Sequence, residues 1–209
     1  MTDVPVLGFN QRAAVVAALR DGQLVAVPDV GGYALAVRTE PGDAPTQLAA
    51  VCPAAPAAHC YLVGSDDQAH ELVGSWSADT TQLMNRCWPG PVTIVLAADG
   101  HDRPVNVRMP RPRSLRQLVR DSGPWLVAPL GLATPTEVQQ WAEGLGGGAV
   151  ACIVDGGRCI GPTASVVDAT GPTLRIVEDG ALPAAFIEGA LMMAGRRRWF
   201  KRSSGTPSL

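Results

Sequence analysis

Apolar residues recur at helical spacing over Gln11–Asp21, with Val15, Val16 and Leu19 on one face, and Gly22 ends the run. Leu24–Val27 is a short apolar run that reads as a buried strand, and Tyr33–Val37 reads as its partner. Between them Pro28-Asp29-Val30-Gly31-Gly32 reads as a loop, on its proline and paired glycines. Thr39–Ala58, rich in Pro and Ala, is ambiguous, with room for a short helix at Pro45–Val51. Further on, strands are expected at Tyr61–Val63, Val92–Ala97, Val105–Met109, Trp125–Ala128, Ala149–Val154, Ala164–Val167 and Leu174–Val177. Helices are expected at Asp66–Val73, Asp79–Cys87, Arg113–Arg120, Thr134–Gly144 and Pro183–Ala194. In the fourth of these strands' successors, Thr134 caps the helix, Pro135 fills its first turn and Glu137 lies three residues on. In Arg113–Arg120 the inward positions are Leu115, Leu118 and Val119. Strands alternating with helices predict an α/β fold, and the hairpin-like spacing at both ends predicts a mixed sheet.

Length and composition narrow this to one domain. The chain has 209 residues, 46% hydrophobic and 17% charged, enough apolar content to bury a large core. No run of about 18 uncharged apolar residues suggests a membrane span, and Met1–Gly8 lacks the pattern of a signal peptide. The expected organisation is an N-terminal arm at 1–10, a domain at 11–194 and a basic, mobile tail at 195–209. Cys52, Cys60, Cys87, Cys152 and Cys159 show no CxxC spacing, and His59, His70 and His101 show no metal-ligand pattern. Free thiols in a reducing cytoplasm, with no metal, are the expectation.

Charge is distributed unevenly. The net formal charge is −2, and taking away Arg196, Arg197, Arg198, Lys201 and Arg202 leaves −7 on the body. A body that acidic is a poor general binder of phosphate backbones. Lys201 is the only lysine. A P-loop, which needs one, is therefore excluded in the body, and Gly146–Gly148, Asp155-Gly156-Gly157 and Gly31-Gly32 do not match GxGxxG. There is no GxSxG elbow and no HExxH.

What does stand out is an ordered series of segments. Gly22–Pro28 and Tyr33-Ala34-Leu35 open it, and Trp88-Pro89-Gly90-Pro91-Val92-Thr93 follows. Val107-Arg108-Met109-Pro110, Leu126-Val127-Ala128-Pro129, Asp155-Gly156-Gly157, Gly161 and Ser165-Val166-Val167-Asp168 complete it. In order and spacing, over about residues 11–182, this series resembles the YrdC/YciO family, and the Gly32–Leu35 portion is nearer the YciO branch. The resemblance implies an open, twisted mixed sheet with helices on its faces and a concave, ligand-facing surface. It also implies a link to tRNA threonylcarbamoyladenosine biosynthesis, in which family members make threonylcarbamoyl-adenylate from threonine, bicarbonate and ATP. Some members are described as binding double-stranded RNA.

Several positions depart from that family's pattern. The usual opening, Pro-Thr-Asp-Thr-Val-Tyr-Gly-Leu, is here Pro28-Asp29-Val30-Gly31-Gly32-Tyr33-Ala34-Leu35, with both threonines lost and an acid after the proline. A Lys-x-Arg pair should fall near Pro53-Ala54-Ala55, where there is no charge. The Ser-Ala-Asn turn falls on Leu130-Gly131-Leu132, the Ser-Thr pair on Ala164-Ser165, and a final arginine on Glu178. Of the cations that the resemblance assigns to ATP, only Arg108 remains. Three or four lost charged hydrogen bonds amount to roughly 5–10 kcal/mol.

The pocket candidates on this reading are Pro28, Asp29, Tyr33, Arg108, Leu130, Leu132 and Ser165. Arg111, Arg113 and Arg116, with Arg196, Arg197, Arg198 and Lys201 of the tail, are the candidates for RNA or another anion. No catalytic residue stands out. Three readings follow: a degenerate protein with little or no synthase activity, an active synthase with a rebuilt ATP site, and a double-stranded RNA-binding module. ATP and a divalent metal are expected only if the site is functional, and RNA or a tRNA-modification protein is the expected partner.

Overall fold

The computed structural model describes residues 3–40, 42–52, 58–100, 102–146 and 148–192. Among the described residues ten strands and seven α-helices follow one another, beginning with β1 (Val6–Leu7), α1 (Arg12–Arg20), β2 (Val25–Asp29), β3 (Gly32–Arg38), α2 (Ala44–Val51) and β4 (Cys60–Leu62). Then come α3 (Asp66–Val73), α4 (Ala78–Cys87), β5 (Val92–Leu96), β6 (Val105–Arg108), α5 (Arg113–Ser122) and β7 (Trp125–Pro129). The chain continues through α6 (Pro135–Gly144), β8 (Cys152–Val154), β9 (Ser165–Asp168), β10 (Arg175–Glu178) and α7 (Ala184–Met192). The strands form one open mixed sheet in the order β1-β8-β2-β3-β7-β4-β6-β5-β9-β10.

Burial follows the two-residue period of the strands. In one half of the sheet both faces are covered. Val25, Val27, Ala34, Ala36, Trp125 and Val127 point to a layer with Val15 and Leu19 of α1 and Leu115 and Leu118 of α5. Their alternates Ala26, Tyr33, Leu35, Leu126 and Ala128 pack with Leu48 of α2 and Val138 and Ala142 of α6. In the other half only one face is covered by helices. Val92, Ile94, Val105, Val107 and Val167 pack with residues of α3, α4 and α7, while Thr93, Asn106, Arg108 and Val166 point the other way, into a hollow.

Local signals account for most boundaries. Ser65 and Ser77 cap α3 and α4 by accepting from the backbone N–H of Gln68 and Thr80. Thr134 and Glu137 form the predicted capping box on α6. One expectation is corrected. Pro28–Gly32 is not a loop: β2 pairs with β3 as far as Asp29 opposite Gly32, leaving only Val30 and Gly31 as the turn. Gly31 takes φ +82°, the left-handed conformation that the third position of such a turn requires. Pro28 is tolerated because β8 pairs with β2 only at Val25 and Ala26, so no ladder partner faces the missing N–H. Within the N-terminal arm, Val6 and Leu7 pair in parallel with Ile153 and Val154 and form one edge strand of the sheet. A two-residue strand is too short to show as a period. The tail expected at 195–209 lies outside the described residues. Among the described residues no helix is long and apolar enough to cross a membrane.

Candidate functional site

The uncovered half of the sheet holds a cavity of about 200 Å³ whose wall draws on seven strands, β9 through Val166 among them. Asp29 comes from the end of β2, Cys60 from β4, Thr93 from β5, Arg108 from β6, Val127 from β7 and Glu178 from β10. At its centre is an ion pair. Arg108 Nη2 donates to both carboxylate oxygens of Asp29, at 2.6 and 2.5 Å, and Nη1 reaches Thr93 Oγ1 at 3.4 Å. The two side chains are only 6% and 12% exposed. In the sheet β2 and β6 are separated by β3, β7 and β4. Four strand-to-strand steps of about 4.8 Å would hold them roughly 19 Å apart in a flat sheet. The contact therefore requires a sheet that coils strongly, and the hollow lies on its concave side.

Electrostatics in the cavity are nearly settled by these groups alone. Burial by itself would lower the Arg108 pKa, but the facing Asp29 carboxylate reverses this and the net shift is upward, so the guanidinium stays charged. Arg108 Nε is buried without a hydrogen-bond partner. Burial pushes the Cys60 thiol up to about 11 against the opposing pull of Arg108, so it is no thiolate nucleophile at neutral pH. Glu178 Oε1 accepts from Thr163 Oγ1 at 3.0 Å and adds a second carboxylate to the wall. One guanidinium thus faces two carboxylates.

The other candidates from the sequence lie elsewhere. Pro28 is buried beneath Gly156, where an added Cβ would stand 2.4 Å from Pro28 Cβ, so no other residue fits at 156 without a shift. Tyr33 is 1% exposed and is not in the cavity. Its hydroxyl accepts from Gly156 N–H at 2.9 Å and donates to Gly157 O at 3.1 Å, pinning the loop after β8. Leu130 and Leu132 pack on the core layer beneath α2 and α6 and do not line the concave cavity. Their role is backbone: Leu132 O accepts from Tyr33 N–H at 2.7 Å and Leu130 N–H donates to Tyr33 O at 2.9 Å. Ser165 is fully buried, donating to Leu182 O at 2.5 Å and accepting from the N–H of Gly180 and Leu182, both at 3.1 Å. It ties the loop after β10 to β9 and offers nothing to a ligand. Cys60 and Thr93 are the residues that sequence reasoning missed. For Thr93 the signal that could have marked it is its alternation with the core residues Val92 and Ile94; Cys60 shares its face with Leu62 and carries no such signal.

The arginine-rich stretch divides. Arg111 and Arg113 are exposed, whereas Arg116 donates from Nη1 to Pro110 O at 3.0 Å and to Arg111 O, and Arg120 Nε donates to Gly64 O at 2.7 Å. Arg116 and Arg120 line a separate polar cavity with Asp66 and Asp67, so neither supplies a cation to the concave one. Burial and the neighbouring Arg120 and Arg113 lower the Arg116 pKa. Arg196, Arg197, Arg198, Lys201 and positions 53–57 lie outside the described residues.

The tethered Tyr33 gives a pH prediction. Burial raises its phenol from 10.0 to about 12. The stability held by the neutral phenol is complete below pH 10 and is lost as pH climbs to 12. At about 1.4 kcal/mol per pH unit this is about 2–3 kcal/mol. Cys60, Cys87 and Cys152, raised from 9.0 to about 11, add losses between pH 9 and 11. In guanidinium unfolding, Tyr33→Phe should therefore flatten the decline between pH 10 and 12 without abolishing it. Identical declines in the two proteins would refute the assignment.

A family model named Sua5/YciO/YrdC, with the description "Telomere recombination", matches residues 17–180. The threonylcarbamoyl-AMP synthase of Pyrococcus abyssi is 29% identical over 185 residues, 81% of this chain and 54% of that protein. That of Bacillus subtilis is 27% identical over 207 residues, 91% of this chain and 59% of that protein. The chain thus spans less than two thirds of the length of these curated relatives. Among solved structures, P. abyssi Sua5 complexed with L-threonine superposes with a TM-score of 0.79 at 24% identity, covering 90% of this chain and 61% of that one. Escherichia coli YciO superposes with a TM-score of 0.74 at 19% identity, covering 87% and 97%. Both structural likenesses are of fold. With its model match extending over most of the chain, the protein belongs to the Sua5/YciO/YrdC family.

Proposed function

We propose that this chain is a degenerate family member, related to tRNA threonylcarbamoyladenosine biosynthesis, with little or no threonylcarbamoyl-AMP synthase activity. One observation carries the reading: the buried guanidinium of the concave cavity, Arg108, is held by Asp29 through both carboxylate oxygens. A triphosphate entering the hollow must displace that carboxylate, still facing Glu178, and must leave water to do so. The apolar Leu130 and Leu132, and the serine already engaged with Leu182, provide no replacement donors. These residues do not fit a polyphosphate, and no reaction step is assigned to one or to a metal that would accompany it. A cavity of about 200 Å³ is also small beside the roughly 300–1,000 Å³ of usual ligand pockets. The occupant that suits it is small and neutral or cationic.

The test is ATP-dependent pyrophosphate release in the presence of threonine and bicarbonate, run beside an active synthase. Turnover at least about a hundredfold below that of the active enzyme is expected. Comparable turnover would overturn the proposal in favour of an active synthase with a rebuilt site.

A further inference from the structure

A second cavity lies on the other side of the β2–β3 turn. It has a volume of about 420 Å³, twice that of the concave one, and Asp29 and Val30 line both. Its walls are largely apolar: Phe9, Val30, Leu115 and four prolines, of which Pro28 and Pro91 come from β2 and the turn before β5. Proline rings lose little conformational freedom when a ligand covers them, so such walls are preorganised. The volume falls in the range of small-molecule sites.

Charge selects the ligand class. The one unbalanced charge on this wall is Arg111. It is exposed, it makes no ion pair, and its guanidinium makes no hydrogen bond among the described residues; only its backbone O is engaged, by Arg116. The carboxylate of Asp29 is already held by Arg108, so that part of the wall is neutral as a pair. Cys159, the remaining reactive group, has its thiol pKa raised by burial and offers no anion. An apolar enclosure bordered by one free guanidinium is complementary to an apolar body with a single carboxylate. Arg is suited to that head group because its planar fork can donate two parallel hydrogen bonds to the two oxygens.

We propose that this cavity binds a small apolar carboxylic acid, an aryl- or alkyl-substituted monoanion, with its carboxylate on Arg111 and its hydrocarbon portion among Phe9, Val30 and the prolines. The site adjoins the concave cavity at Asp29 and Val30 but does not depend on whether that cavity binds nucleotide.

The experiment titrates the full chain calorimetrically with 3-phenylpropionate and with its uncharged amide. The acid should bind at least about tenfold more tightly than the amide. Arg111→Met, which keeps the apolar stem, should remove that tenfold preference and leave amide binding unchanged. Val30→Trp, which fills the cavity from a half-buried turn position, should abolish binding of both; circular dichroism and the melting temperature establish that it is folded. Equal binding of acid and amide by the unaltered protein would overturn the proposal, as would no binding of either. Binding that survives Val30→Trp in a folded variant would place the acid elsewhere and overturn it as well.

Discussion

Replacing Asp29 with asparagine is expected to destabilise the protein by about 3–5 kcal/mol, although the substitution keeps the side chain's shape. The reason is asymmetry. A buried ion pair contributes little net stability over a well-packed apolar pair, but deleting one member leaves an uncompensated buried charge. Arg108 cannot shed its proton to escape this, since its pKa is raised, and its side chain is 6% exposed. For a chain of this size the loss corresponds to a fall of about 6–20 °C in melting temperature. The same variant gains a property. With the carboxylate gone, Arg108 is a buried cation beside a cavity, and an external anion can take the vacated place. Inorganic pyrophosphate should raise the melting temperature of Asp29→Asn and leave that of the unaltered protein unchanged. A variant as stable as its parent, measured by chemical denaturation, would show that the pair does not hold the hollow together. A parent stabilised by pyrophosphate as strongly as the variant would show that Asp29 does not exclude anions.

Ser165→Ala is expected to have an effect of similar size for a different reason. The hydroxyl donates one hydrogen bond and accepts two, all from the loop that turns β10 into α7. Its loss orphans the N–H of Gly180, the N–H of Leu182 and the O of Leu182, partly buried groups that all converge on the fully buried Ser165 side chain. Each orphan would cost about 1–3 kcal/mol alone, and non-additivity brings the sum to about 3–5 kcal/mol. Relaxation has little room, because a Cβ at Gly180 would already lie 2.4 Å from Thr163 O and 2.7 Å from Ser165 N. A loss below about 1 kcal/mol in equilibrium unfolding would mean that the loop finds other partners.

The fold was readable because its signals are local and strong. The ladder of apolar residues in β2, β3 and β7 and the caps of α3, α4 and α6 each declare themselves within a few residues. β1 did not, since two residues pairing with β8 across most of the chain leave no local trace. The candidate site was readable only in part. Asp29 and Glu178, the acids that stand at departures from the family pattern, line the same hollow as Arg108. Tyr33 and Ser165 lie outside the hollow, and a hydroxyl near a glycine-rich turn looks the same in sequence whether it faces a ligand or a backbone amide. Only the partners at Gly156, Gly157, Gly180 and Leu182 distinguish the two. Leu130 and Leu132 serve through carbonyl and amide groups that every residue type carries, so their side chains gave no guidance.

The strand order also bears on how the molecule comes into being. Asp29 lies on the third strand of the sheet and Glu178 on the tenth, and the hollow between them is closed only when β9 docks beside β5 and β10 beside β9. A nascent chain therefore emerges with Asp29 early, long before Arg108 is synthesised to meet it. Before the final hairpin settles, the hollow lacks the wall that β9 and β10 supply, Glu178 included. The hollow is thus complete only once the last two strands of the chain are in place.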